Sequence, residues 1–93
     1  MRITIPATAL AQAMRNPARQ ARLSRLIRQI DTDLVRLDGP EATTVGLLLA
    51  QTGTADIVDA HVVVCARRAK QAIVTSDAGD LRRIAPDVQL VVI

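Results

Sequence analysis

Ile57-Val58-Asp59-Ala60-His61-Val62-Val63-Val64-Cys65-Ala66-Arg67-Arg68-Ala69 is the stretch on which the fold turns. Its three consecutive valines favour a strand, because β-branched side chains suit a pleated surface. Its length favours a helix: an apolar-rich run of about 13 residues is too long for an ordinary strand and fits a buried helix. An acid at the start, near Asp56, and the cations Arg67 and Arg68 at the end suit the two poles of a helix dipole.

With a helix there, the neighbouring segments alternate. Downstream, Gln71–Thr75 reads as a short apolar strand, Asp77–Ala85 as a short helix and Val88–Ile93 as a terminal strand. Upstream, Glu41–Gln51 reads as a helix stopped by Gly53, and Asp33–Leu37 as a strand ending at the Asp38-Gly39-Pro40 turn. Arg19–Ile30 is amphipathic, with Leu23, Leu26, Ile27 and Ile30 on one face and Arg22, Arg25 and Arg28 on the other. Ala7–Arg15 is helical up to the Asn16-Pro17 break, and Arg2–Ile5 is a strand ending at Pro6. Non-alternating strands separated by helices predict an α/β class with a parallel sheet covered on both faces. The 93 residues make a single domain, 1–93, with no repeat or linker.

Composition excludes several functions. The longest uninterrupted apolar run, Val62 to Ala66, falls far short of the ~20 residues a membrane span needs. No charged-then-apolar leader precedes a cleavage site, and one cysteine makes no internal disulfide, so a cytoplasmic location is expected. Without Phe, Tyr or Trp there is no stacking platform for bases, and any nucleic-acid contact falls to arginine and backbone. Charge is unevenly spread. Residues 1–30 hold six of the twelve basic side chains (Arg2, Arg15, Arg19, Arg22, Arg25, Arg28) and none of the nine acids. A basic segment joined to an acidic one suits a phosphate-binding face beside a metal-binding one.

Two acidic pairs stand out, Asp56-Ile57-Val58-Asp59 and Asp77-Ala78-Gly79-Asp80, each at a predicted helix start. Capping accounts for such a pattern: the first Asp accepts from orphan amides and the second complements the dipole. Position adds a second role, because Asp77 follows a strand at its carboxyl end, the edge where open α/β sheets bind ligands. Ionised carboxylates about 4 Å apart repel by about 4 kcal/mol at an effective dielectric near 20, so a converging pair needs a cation or a shared proton. Carboxylates without a His–Cys cluster select Mg²⁺ or Mn²⁺, suited to phosphodiester hydrolysis. His61 and Cys65, four apart on one helix, lack the further ligands of a structural zinc site and read as core packing, as does Met14.

Thr54-Ala55-Asp56-Ile57-Val58-Asp59-Ala60 followed by Ile73-Val74-Thr75-Ser76-Asp77-Ala78-Gly79-Asp80-Leu81 resembles the C-terminal half of a PIN-domain ribonuclease, closest to the VapC-type toxins of type II toxin–antitoxin pairs. Ile5-Pro6-Ala7-Thr8-Ala9-Leu10-Ala11-Gln12 resembles the strand-to-helix step of the same family. The resemblance implies a PIN-like parallel sheet flanked by helices and metal-dependent cleavage of RNA. It implies Asp59 and Asp77 as catalytic metal ligands, Asp56 and Asp80 as assisting acids, and Thr75 and Ser76 as supporting hydroxyls. It also implies Mg²⁺ or Mn²⁺, homodimers and a cognate VapB-type antitoxin. Charge alone, apart from the resemblance, sets Arg15, Arg19, Arg22, Arg25 and Arg28 against RNA phosphates.

Two departures from the family qualify these expectations. Gln12 stands where the family has a glutamate, and the family's first, central strand with its aspartate has no counterpart before Arg2. A partial PIN-like domain, with its two neighbouring strands left open-edged and its activity impaired, is therefore expected. The alternative is a non-catalytic remnant that binds an antitoxin or dimerises.

Overall fold

The computed structural model describes residues 2–29, 31–75 and 78–92. In chain order the elements are β1 (Arg2–Pro6), α1 (Ala7–Met14), α2 (Pro17–Gln29), β2 (Asp31–Val35), α3 (Gly39–Thr52), α4 (Ile57–Ala69), β3 (Ile73–Thr75), α5 (Gly79–Ile84) and β4 (Leu90–Val92). The class is mixed α/β, with helix dominant.

The three valines lie inside helix α4. Length decides against propensity because the helix buries Ala60, His61, Val63, Val64, Cys65 and Ala66, a wider apolar surface than a short strand could hide. Both of its ends are specified locally. Asp56 is the N-cap and accepts the backbone N–H of Asp59 at 3.0 Å. At the other end Lys70 adopts the left-handed conformation, its N–H reaching Arg67 O at 3.3 Å while Gln71 N–H reaches Ala66 O at 3.0 Å.

Helix α3 begins at Gly39, two residues before the predicted Glu41. Asp38 serves as its N-cap, bonding the Glu41 N–H at 3.0 Å, and so draws Gly39 and Pro40 into the first turn. Gly53 ends the helix at φ 66°, as its position predicts. The axes of α3 and α4 then turn by 107°. No single helix among the described residues is long and apolar enough to cross a membrane.

Helix α4 is the hub, touching α1, β1, α3, β3 and α5. Its Ala60, Val63, Val64 and Ala66 form one core with Val45 and Leu48 of α3, Ile73 of β3, and Leu81 and Ile84 of α5. α2 is peripheral. Leu23 and Ile27 are half-buried and Arg22, Arg25 and Arg28 exposed, while the Leu26 side chain and Ile30 lie outside the described residues. Met14 is half-buried at the end of α1, a helix with no fully buried residue, and so does not fill the core.

The strands pair in parallel, as expected, but in two separate pairs. β1 runs beside β2 in register from Arg2↔Asp31 to Pro6↔Val35, and β3 beside β4 from Ile73↔Leu90 to Thr75↔Val92. The neighbouring strands β1 and β3 do not pair with each other. A cleft of about 570 Å³ lies between them, walled by Ile3, Ile5, Ile73 and Val74 and lined by Val62 and Cys65 of α4. The expectation of cover on both faces fails as well: Leu34 is 51% exposed, Val74 64%, Val91 44% and Val92 55%. β-branched runs without alternation record strand propensity here, not two-sided burial.

Candidate functional site

The two acidic motifs meet. Asp56 and Asp59 at the start of α4 and Asp80 in the first turn of α5 line one pocket of about 250 Å³, together with Thr54 and Arg83. α4 and α5 pack directly on each other, and that contact carries two chain-distant motifs to the same concavity. Asp56 and Asp80 are exposed and Asp59 is half-buried, so water screens their mutual repulsion.

The capping interpretation holds for the first motif, where Asp56 caps α4 and Asp59 lies in its first turn. In the second, Asp80 lies in the first turn of α5, where it complements the dipole as expected. Ser76 and Asp77 lie outside the described residues. Thr75 is half-buried at the end of β3, opposite Val92.

Other predicted residues stand apart from this pocket. Gln12 is exposed on α1 and is not among its lining residues. Arg15 sits in the turn after α1, and Arg19, Arg22, Arg25 and Arg28 are exposed on α2, which packs on α1 and β2. Arg67 holds Asp87 through two bonds of 2.6 and 3.3 Å, which keeps that carboxyl below the usual carboxylate range.

A second cluster lies between α3 and α4. Glu41, 8% exposed, receives Arg68 Nη2 on Oε2 at 2.8 Å, and this bond raises the guanidinium pKa further. The Cys65 Sγ lies 4.0 Å from Glu41 Oε1, and the His61 Nε2 lies 3.3 Å from the same oxygen. The His61 Nδ1 is 2.7 Å from Thr8 Oγ1 of α1. His61 is fully buried, and its Nε2 is out of line for a hydrogen bond to Glu41 and has no other hydrogen-bond partner. Burial, then the Glu41 charge, push the Cys65 thiol up to about 11.

Packing of His61 and Cys65 in the core is as the sequence predicts. The sequence reading missed Glu41, Thr8 and Arg68. A signal was present for Glu41, which shares a helical face with Val45 and Leu48 and so points inward with them. Among the described residues, Glu41, His61 and Cys65 are the set of three whose ligand atoms all lie within 4.8 Å of one another. No protein-family model matches the chain, and no curated protein matches it.

Proposed function

We propose that the chain is a PIN-like, VapC-type endoribonuclease that cleaves RNA phosphodiesters at the acid pocket, in the weakened form expected of a site with Gln12 in place of a glutamate. The observation that carries this reading is the pocket itself: Asp56, Asp59 and Asp80 share one concavity with Arg83. The open cleft between β1 and β3 adds support, since the family's central strand would run there.

The donor set suits a hard cation. Every candidate ligand in the pocket is a carboxylate or hydroxyl oxygen. Mg²⁺ keeps several of its waters, so it needs one or two carboxylates and room for solvent rather than a tight three-atom cage. Asp59 would hold it together with Asp77, with Asp56 and Asp80 at the margin. When bound, the ion polarises a phosphoryl oxygen and activates water. The chain's own residues do the rest. Arg83 attracts a phosphate to the pocket, Asp56 fixes the first turn of α4 and hence the backbone of Asp59, and the arginines of α2 draw the RNA backbone by charge.

The test is cleavage of a structured RNA by the purified chain with Mn²⁺, Mg²⁺ or EDTA, beside Asp59→Asn. Metal-dependent cleavage that the variant loses is expected; cleavage that survives in EDTA or in Asp59→Asn overturns the assignment. A second reading, a non-catalytic module that binds a VapB-type antitoxin or dimerises, is favoured by the apolar cleft flanked by β1 and β3, each with an edge that no described strand occupies. Binding of antitoxin or self-association without any cleavage would select it.

A further inference from the structure

We propose that Glu41, His61 and Cys65 form a second metal site, suited to a borderline transition-metal ion such as Zn²⁺ and separate from the acid pocket. The donor chemistry differs from that pocket in kind. A thiol sulfur, an imidazole nitrogen and one carboxylate oxygen select Zn²⁺, Co²⁺ or a similar ion over Mg²⁺.

The geometry is close to what such an ion requires. Zinc bonds of about 2.0–2.1 Å to nitrogen and 2.0–2.2 Å to oxygen, at a tetrahedral angle, set the two donors about 3.4 Å apart. His61 Nε2 and Glu41 Oε1 are 3.3 Å apart. A Zn–S bond of about 2.3 Å places sulfur about 3.5 Å from that oxygen. The Cys65 Sγ stands at 4.0 Å and closes the difference with a small side-chain rotation.

The surroundings orient each donor. With Nδ1–H donated to Thr8 Oγ1 at 2.7 Å, Nε2 carries a lone pair beside the carboxylate but off the direct line to Oε1, as a metal ion held by both donors requires. Two acceptors 3.3 Å apart in a buried place call for a proton or a cation beside them, and Nε2 has no hydrogen-bond partner among the described residues. Arg68 occupies Glu41 Oε2 and leaves Oε1 to the site. Cys65 also lines the cleft between β1 and β3, the side from which an ion would enter. On binding, the S–H bond breaks, an S–metal bond forms, and the proton leaves to solvent through that cleft.

The test is a titration of the chelator-treated full chain with Co²⁺. One equivalent should produce a thiolate-to-cobalt charge-transfer band with the intense visible bands of tetrahedral cobalt, both displaced by Zn²⁺. Cys65 is the chain's single cysteine, so the charge-transfer band has one origin. Cys65→Ala should abolish it, Asp59→Asn should leave it unchanged, and Thr8→Val should keep the band while weakening Co²⁺ affinity about 10- to 100-fold. The wild-type titration stands whether or not a variant folds. A folded chain with no band at one equivalent, or a band that survives Cys65→Ala, overturns the proposal.

Discussion

Asp56 bonds the Asp59 backbone nitrogen at 3.0 Å while its carboxylate also lines the acid pocket, so one side chain caps a helix and borders the proposed site. Two substitutions separate these roles. Asp56→Ala should cost about 1 kcal/mol in urea denaturation through the lost cap, whereas Asp56→Ser should stay within a few tenths of wild type, because a hydroxyl also accepts at an N-cap. If the carboxylate assists cleavage, both variants should lose activity equally despite their different stabilities. Cys65 gives a pH prediction for the metal-free protein. Its folded pKa of about 11 exceeds the ordinary 9.0, so the folded state holds the proton more tightly than the unfolded one. The resulting stabilisation is complete below about pH 9 and declines as pH rises toward about 11. Chelator-treated wild type should therefore lose stability relative to Cys65→Ala across that interval, as read by denaturation midpoints. A constant difference would show that the thiol titrates alike in both states.

Helix ends were the most legible elements, because their signals are local. Gly53 stops α3 and the acid before Ile57 starts α4, both written within a few residues of the boundary they set. The two left-handed caps should respond oppositely to substitution. A Cβ on Gly53 would meet nothing within 4 Å, so Gly53→Ala should cost the backbone penalty of φ 66°, about 1–2 kcal/mol, less about 0.5–1 kcal/mol of unfolded-chain entropy, for a net loss near 0.5 kcal/mol. Lys70 already bears that penalty at φ 55°. Lys70→Gly removes about 1–2 kcal/mol of strain and adds about 0.5–1 kcal/mol of unfolded-chain entropy, for a net gain near 0.5 kcal/mol. Guanidinium melts should show midpoints moving in opposite directions. Less legible were the inward turn of Glu41 and the identity of its neighbours. The 41–45–48 spacing announces a buried face, but a charged residue in a first helical turn is equally explained by the dipole. Only the crossing of α3 over α4 brings His61 and Cys65 to it, and no local pattern encodes a crossing.

For the whole molecule, parallel pairing was legible from the alternation of strands and helices, while the split into two pairs depends on how segments about seventy residues apart, such as those of Ile3 and Ile73, stand across the cleft. That split leaves β1 and β3 each with an edge that no described strand occupies, beside an apolar cleft. Charge works at the same scale. If the chain binds RNA as proposed, the arginines exposed on and before α2 should make that binding fall with salt, by about 0.7 in log affinity per log salt for each phosphate contacted on a single strand, and Arg22→Gln with Arg25→Gln should flatten the slope by about 1.4. Open strand edges recruit further strands unless something blunts them, and here the adjoining cleft is apolar, with Val74 64% exposed. The chain should therefore self-associate as concentration rises, with the sedimentation coefficient climbing above the monomer value. Val74→Lys places a charge on that edge at an exposed position, where substitutions typically stay within about 0.5 kcal/mol. The variant should remain monomeric while its denaturation midpoint barely moves. Association that persists in Val74→Lys would locate the contact elsewhere, and a wild type that stays monomeric at every concentration would mean that the open edges are already protected.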